Sequence, residues 1–124
     1  MVDLTAYLQG WATGDGDAIL AAASPSYVLH DPAVGEITRD NFAHYMTECH
    51  ALVTELRSGK EQTSYIETSE LLREEVGSTT TASCWWTIAG TPLEGAALVK
   101  ADHDGVRSHR VTYFAAPAQE TATK

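Results

Sequence analysis

Basic residues are scarce in this sequence, since eight lysines and arginines stand against 17 aspartates and glutamates. The formal net charge at pH 7 is therefore -9. A protein that binds nucleic acid needs a basic surface to displace the counterions of the phosphate backbone. The sequence offers no such basic stripe, so we expect no nucleic-acid partner.

Cysteines and long apolar runs are also scarce. Cys49 and Cys84 form no C-x-x-C pair and lie within apolar patterns, so we expect reduced thiols rather than a disulfide or a metal site. No window is apolar over the roughly 20 residues that cross a membrane. Residues 1–7 lack the basic and apolar start of a secretory signal. These absences predict a cytoplasmic protein that has no membrane association.

The first half of the chain has the residue spacing of helices, and its length of 124 residues predicts one domain over residues 1–124. Asp15 is suited to cap a helix over residues 16–23, and Thr38 to precede a long helix that ends near Ser58. An earlier helix, ended by Gly14, is predicted by four apolar residues at i, i+3, i+4 and i+7: Leu4, Tyr7, Leu8 and Trp11.

The rest of the chain has the pattern of strands. A short strand is predicted at residues 27–31, and four β-rich runs cover residues 62–76, 78–88, 93–101 and 106–114. The short links between these runs favour antiparallel hairpins. We therefore predict an α+β domain, in which three N-terminal helices pack on one face of a curved, mostly antiparallel sheet. Residues 115–124 have no apolar period and are predicted to form a flexible tail.

An acidic residue stands at the end of the first predicted strand, in the tripeptide His30-Asp31-Pro32. Proline favours extended geometry in the residue before it, so Asp31 would be held by a strand and open to a neighbouring cavity. That position suits a general base, and it equally suits an ordinary turn carboxylate. The five histidines show no clustered ligand spacing, and Asp102-His103-Asp104-Gly105 has turn chemistry, so we expect no metal site.

Three stretches in this order carry a family resemblance: Trp11-Ala12-Thr13-Gly14-Asp15, His30-Asp31-Pro32, and Asp104-Gly105 ahead of a strand with Tyr113-Phe114. Together they span nearly the whole chain. The sequence resembles the nuclear transport factor 2-like (NTF2-like) superfamily, which has a cone-shaped α+β fold. This superfamily includes the SnoaL-type polyketide cyclases and the ketosteroid isomerases.

The resemblance to ketosteroid isomerases implies roles for individual residues. It places Tyr7 at the oxyanion-donor tyrosine and Asp31 at the general-base aspartate. The second oxyanion acid of that family falls at Ala97, so it is absent, and steroid isomerisation itself is not expected. His109 is a candidate substitute, because strand alternation places it on the same face as Val111 and Tyr113. The implied protein is a cofactor-independent isomerase, cyclase or dehydratase that takes a small hydrophobic molecule.

The expected walls of the pocket are aromatic and apolar, and strand register decides which of Trp85 and Trp86 points inward. The wall residues that we predict are Trp11, Tyr27, Tyr45, Trp86, Leu98, Tyr113 and Phe114. The alternatives to an enzyme are a non-catalytic ligand-binding protein and a dimeric interaction protein of the same fold. A homodimer that pairs through the open face of the sheet is also expected, on the apolar residues of the last two strands.

Overall fold

The computed structural model describes residues 4–115. Its helices are α1 (Thr5–Thr13), α2 (Gly16–Ala21) and α3 (Phe42–Arg57), and one 3-10 turn (Arg39–Asn41) precedes α3. Its strands are β1 (Ala23–Asp31), β2 (Gly35–Thr38), β3 (Ile66–Val76), β4 (Thr79–Ile88), β5 (Leu93–Asp102) and β6 (Gly105–Ala115).

The six strands form one curved sheet in the order β2-β1-β6-β5-β4-β3. Every neighbouring pair is antiparallel except β1 and β6, which run parallel. The prediction of an α+β fold with three helices and a mostly antiparallel sheet is confirmed. Of the predicted tail at residues 115–124, Ala115 belongs to strand β6, and residues 116–124 lie outside the described residues. The prediction of a single domain over residues 1–124 stays a prediction.

Local sequence explains where the first two helices meet. Gly14 ends α1 with a φ of +72°, a left-handed conformation that glycine adopts at little cost. Asp15 then caps α2, because its Oδ1 accepts a hydrogen bond from the backbone N–H of Ala18 at 3.1 Å. Both signals act as the sequence predicts, and α2 ends at Ala21, two residues before the predicted end.

Three strand boundaries differ from the sequence-based expectation. An additional strand, β2, which the sequence does not predict, begins at Gly35 and pairs this residue directly with Asp31. Strand β1 begins at Ala23 and accommodates Pro25 through a register shift between Ala23 and Val28. Strand β3 begins at Ile66 rather than at residue 62.

The core lies between the helices and one face of the sheet. Its fully buried members include Tyr7 from α1, Tyr27 and Leu29 from β1, and Phe42 from α3. Arg57 fastens the end of α3 to the sheet, since its Nε donates to the carbonyl of Ala89 at 2.8 Å. This contact holds the C-terminal end of α3 against the sheet.

The turn between β5 and β6 is the hairpin that the sequence predicts. The backbone N–H of Asp104 donates to Asp102 Oδ1 at 2.9 Å, and Gly105 follows with a φ of +117°. Asp102, His103 and Asp104 bring three potential metal-ligand atoms within 4.8 Å of one another. His103 contacts Asp104 within the turn, and both residues are exposed. Asp102 forms an ion pair with Arg107 of β6, with 3.4 Å between its Oδ2 and Nε of the arginine.

Residues 4–115 contain no helix that is both long enough and apolar enough to cross a membrane.

Candidate functional site

A mostly apolar cavity lies between the helices and the sheet. It encloses about 850 Å³ of atom-free space, a figure that includes its open mouth. An apolar lining with a few polar groups is typical of sites for small molecules. Its lining includes six of the residues that the sequence singles out: Trp11, Asp31, Tyr45, Trp86, His109 and Tyr113.

Asp31 is the acidic residue in this lining, and only 6% of its surface is exposed. Its Oδ2 accepts a hydrogen bond from the Tyr45 hydroxyl at 2.6 Å. Its Oδ1 accepts one from the Tyr113 hydroxyl at 2.7 Å and another from the backbone N–H of Ala33 at 2.8 Å. A buried carboxylate is costly unless donors compensate it, and three donors do so here.

The two tyrosines remain protonated donors. Burial is the largest cause that raises the pKa of the Tyr45 hydroxyl, and the proximity of Cys49 and of Asp31 raises it further. Burial also raises the pKa of Tyr113, with its hydrogen bond to Asp31 as the second cause. Both phenols therefore stay protonated across the physiological pH range, and each donates a hydrogen bond to the carboxylate.

His109 also lies on the cavity wall, and it is 7% exposed. Its Nδ1 lies 2.5 Å from the Tyr7 hydroxyl, which in turn lies 2.7 Å from the Tyr27 hydroxyl. The imidazole also packs edge-on against the Trp11 ring, with 5.5 Å between the ring centroids. Burial lowers the pKa of His109 to about 3, so the ring is neutral at physiological pH.

Tyr7 and Tyr27 lie elsewhere than the sequence predicts. Neither residue belongs to the cavity lining, because both side chains are buried behind His109. The Tyr7 hydroxyl is bonded to Tyr27 and His109, so it does not face Asp31 across a gap. Tyr45 and Tyr113, which the sequence predicts as walls, hold the Asp31 carboxylate instead.

Leu98 and Phe114 also differ from the prediction that they line the pocket. Adjacent strand residues point to opposite faces, and these two point away from the cavity, where they are 37% and 48% exposed. Trp85 shares that outer face and packs edge-on against Phe114 at 6.1 Å between centroids. Register therefore answers the question of the tryptophan pair: Trp86 lines the cavity and Trp85 does not.

Several lining residues were not singled out as site residues from the sequence. Tyr65, Cys49 and Cys84 belong to the lining, and neither cysteine lies in a disulfide. Burial raises the pKa of the Cys49 thiol to about 11, so this group is uncharged. The helical stripe of α3 contains Cys49, and strand alternation pairs Cys84 with Trp86 on one face, so periodicity alone could have found both.

Three buried donors of lining residues lack a hydrogen-bond partner among residues 4–115. They are the indole Nε1 of Trp11, the indole Nε1 of Trp86 and the hydroxyl of Tyr65. Buried polar groups are satisfied in the great majority of cases, and an orphaned donor calls for a physical explanation. Ala97 also lines the cavity, so the position of the missing second acid faces the space where a ligand would lie.

The pKa of His109 leads to a prediction about acid stability. The unfolded chain takes up a proton on this residue near pH 6.5, whereas the folded chain does so only near pH 3. Unfolded molecules therefore bind more protons between these values, and the free energy of unfolding falls as the pH drops through that window. From pH 7 to pH 5 this residue should remove about 2 kcal/mol.

Urea unfolding of the wild type and of His109→Asn at several pH values checks this prediction. Between pH 7 and pH 5, the free energy of unfolding of the variant should fall by about 2 kcal/mol less than that of the wild type. His103→Asn, a change in the exposed β5–β6 turn, should behave as the wild type does. Equal pH slopes for the wild type and His109→Asn would contradict the burial of a neutral imidazole.

Comparisons with known proteins show similarity at the level of structure. No family model matches the sequence, and no curated protein matches it. A cystatin-like fold protein from Burkholderia xenovorans LB400 superposes with a TM-score of 0.65 at 17% identity, over 92% of this chain and 88% of that one.

Two further solved structures carry more specific names. An NTF2-like protein of unknown function from Cytophaga hutchinsonii has a TM-score of 0.56 at 10% identity, over 98% of this chain and 91% of that one. A presumed polyketide cyclase from Xanthomonas campestris pv. campestris has a TM-score of 0.56 at 16% identity, over 96% and 90%. The chain therefore has the fold of the NTF2-like superfamily, as its sequence motifs indicate.

Proposed function

We propose that this protein is a cofactor-independent enzyme that moves a proton on a small apolar carbonyl compound, with Asp31 as the general base. The observation on which this rests is a hydrogen-bonded carboxylate on the wall of a largely apolar cavity. A ligand in that cavity would be shielded from water, and electrostatic interactions are stronger in such surroundings.

The hydrogen bonds of Asp31 leave one atom to act as the base. A carboxylate offers about four lone-pair positions, two on each oxygen. Both positions of Oδ1 are taken, by Tyr113 and by the backbone N–H of Ala33. Oδ2 accepts only the Tyr45 bond among the described residues, so its remaining lone pair is free to receive a proton. The same bonds hold the carboxylate in one orientation.

The proposed step breaks a C–H bond next to a carbonyl group. The proton goes to Asp31 Oδ2, and the electron pair moves onto the carbonyl oxygen, which becomes an enolate. If the proton returns to a different carbon, the reaction is an isomerisation. If the enolate attacks a second carbonyl, the reaction is a cyclisation, and if a hydroxyl group leaves as water, it is a dehydration. All three reactions share the first step.

A developing enolate needs a hydrogen-bond donor, and removal of one such donor typically costs on the order of 10²–10³ in rate. Ala97 offers none. The remaining candidates on the lining are neutral His109 and three unpartnered donors, which are Trp11 Nε1, Trp86 Nε1 and the Tyr65 hydroxyl. These donors and the apolar lining favour an apolar ligand that carries oxygen atoms as hydrogen-bond acceptors. The name of the Xanthomonas protein agrees with such a ligand.

The experiment uses 2-tetralone, a small two-ring ketone with exchangeable α-protons, as its probe. Proton NMR in D2O follows deuterium exchange at those α-carbons with and without the protein. The wild type should accelerate exchange, and Asp31→Asn should lose about 10²–10⁴-fold of the acceleration because the base is removed. Asp17→Asn, a change at an exposed carboxylate in α2, is the matched control and should retain it.

Binding of the same ketone, followed by chemical-shift changes in the protein, separates the possible outcomes. Binding without accelerated exchange in the wild type would overturn the enzyme proposal and favour the alternative, a ligand-binding protein of the same fold. Full exchange activity in a folded Asp31→Asn variant would overturn the assignment of Asp31.

We also propose that two copies of the chain pair through the outer face of the sheet. Trp85, Leu98 and Phe114 are exposed there, on the face opposite the cavity. A group of exposed large apolar side chains on one face is typical of an interaction surface, and a second copy of the chain offers a self-complementary partner.

Native mass spectrometry tests this pairing. The wild type should give twice the chain mass of 13.4 kDa. Leu98→Glu should shift the protein to monomers, because it places like charges against each other across the interface. Val34→Glu, at an apolar residue in the exposed turn before β2, should leave the dimer intact. A monomeric wild type at micromolar concentration would contradict the proposal.

We further propose that the protein works in the cytoplasm. Cys49 and Cys84 are free thiols, and unpaired cysteines are the usual state in a reducing compartment.

A further inference from the structure

We propose that Tyr7 holds His109 as the tautomer with its proton on Nε2, so that His109 presents an N–H donor to the cavity and acts there as the oxyanion donor that Ala97 cannot be. Tyr7 is then a positioning residue that acts through His109. The role toward a ligand oxygen rests on the proposed function, whereas the tautomer does not.

The argument begins with the direction of two hydrogen bonds. Tyr27, Tyr7 and His109 Nδ1 form a chain with separations of 2.7 Å and 2.5 Å, and all three side chains are buried. If Tyr27 donates to Tyr7 and Tyr7 donates to Nδ1, every hydroxyl proton in the chain has an acceptor. The imidazole proton must then lie on Nε2, since a neutral ring carries one proton.

The opposite direction leaves a buried group unsatisfied. If Nδ1–H donated to Tyr7 and Tyr7 to Tyr27, the Tyr27 proton would need another acceptor. Tyr27 is 1% exposed, and its hydroxyl has no acceptor besides Tyr7 among residues 4–115. A buried donor without an acceptor is costly, so the first direction is favoured.

A neighbouring indole favours the same direction. Trp11 packs edge-on against His109, and the approach of its indole N–H to the Tyr7 hydroxyl lowers the pKa of Tyr7 against the larger rise caused by burial. The geometry of that contact falls short of a full hydrogen bond. Because donors approach the Tyr7 oxygen from these sides, the proton of the Tyr7 hydroxyl points toward His109.

The consequence concerns the face of His109 that meets the cavity. Since Nδ1 is bonded to Tyr7 and the residue belongs to the cavity lining, Nε2 is the nitrogen left for a ligand. An N–H at that position binds a carbonyl or enolate oxygen and cannot take a proton from carbon. The site then combines Asp31 as its base with a donor at His109, and the ligand must place an acceptor oxygen against His109.

Nitrogen-15 NMR of the imidazoles in the full chain tests the tautomer directly. In the wild type, His109 should show a protonated-type shift at Nε2 and an unprotonated-type shift at Nδ1. Tyr7→Phe removes the donor to Nδ1, so the two shifts should move toward each other as the tautomers mix. Tyr27→Phe is the matched control, because Tyr7 can still donate to Nδ1 and the wild-type pattern should persist.

A proton on Nδ1 in the wild type, or an unchanged pattern in a folded Tyr7→Phe variant, would overturn the tautomer. Addition of 2-tetralone then tests the donor role, and it should shift the Nε2 resonance more than the Nδ1 resonance. Bound ketone without a change at Nε2 would overturn that role. If the protein does not accelerate deuterium exchange but shows the expected nitrogen-15 shifts without ketone, the proposed function is refuted and the tautomer is retained.

Discussion

The structure depends most on the way in which the Asp31 carboxylate is held. Its hydrogen bonds come from Tyr45 on α3, from Tyr113 on β6 and from the backbone at Ala33, so one buried group joins the long helix, the first strand and the last strand. Hydrogen bonds to a charged group contribute about 1.5–3 kcal/mol each, which offsets the cost of removing a carboxylate from water. The same contacts orient Asp31 at the cavity wall, so stability and the proposed chemistry share one set of interactions.

The sheet places Asp31 and His109 on neighbouring strands. Strands β1 and β6 run parallel with Leu29 opposite His109, so Asp31 lies two residues further along β1 on the same face. The neighbourhoods of the two groups nevertheless differ. Asp31 has three donors that stabilise a charge, whereas His109 is buried among aromatic rings that keep it neutral. Two titratable groups with such different surroundings suit the different tasks of base and donor.

The sequence predicts the fold well, because the helix signals are local and the strand runs are separated by turn residues. Asp15, Gly14 and the apolar stripe of α3 act as expected. The site is predicted less well, because it depends on contacts between distant elements. Tyr7 has the right position along the chain, yet its hydroxyl is bonded to Tyr27 and His109, and no sequence pattern shows this. Leu98 and Phe114 were misplaced because an aromatic or apolar residue in a strand suits either face until register is known.

The most direct test of the central claim is a crystal structure at ~1.2 Å resolution or better, where side-chain hydrogens begin to be visible. We predict that the hydroxyls of Tyr45 and Tyr113 donate to separate oxygens of an ionised Asp31, at distances close to 2.6 Å and 2.7 Å, beside an open cavity. An Asp31 side chain turned out to bulk water, or a cavity filled by packed side chains between Asp31 and His109, would contradict the account.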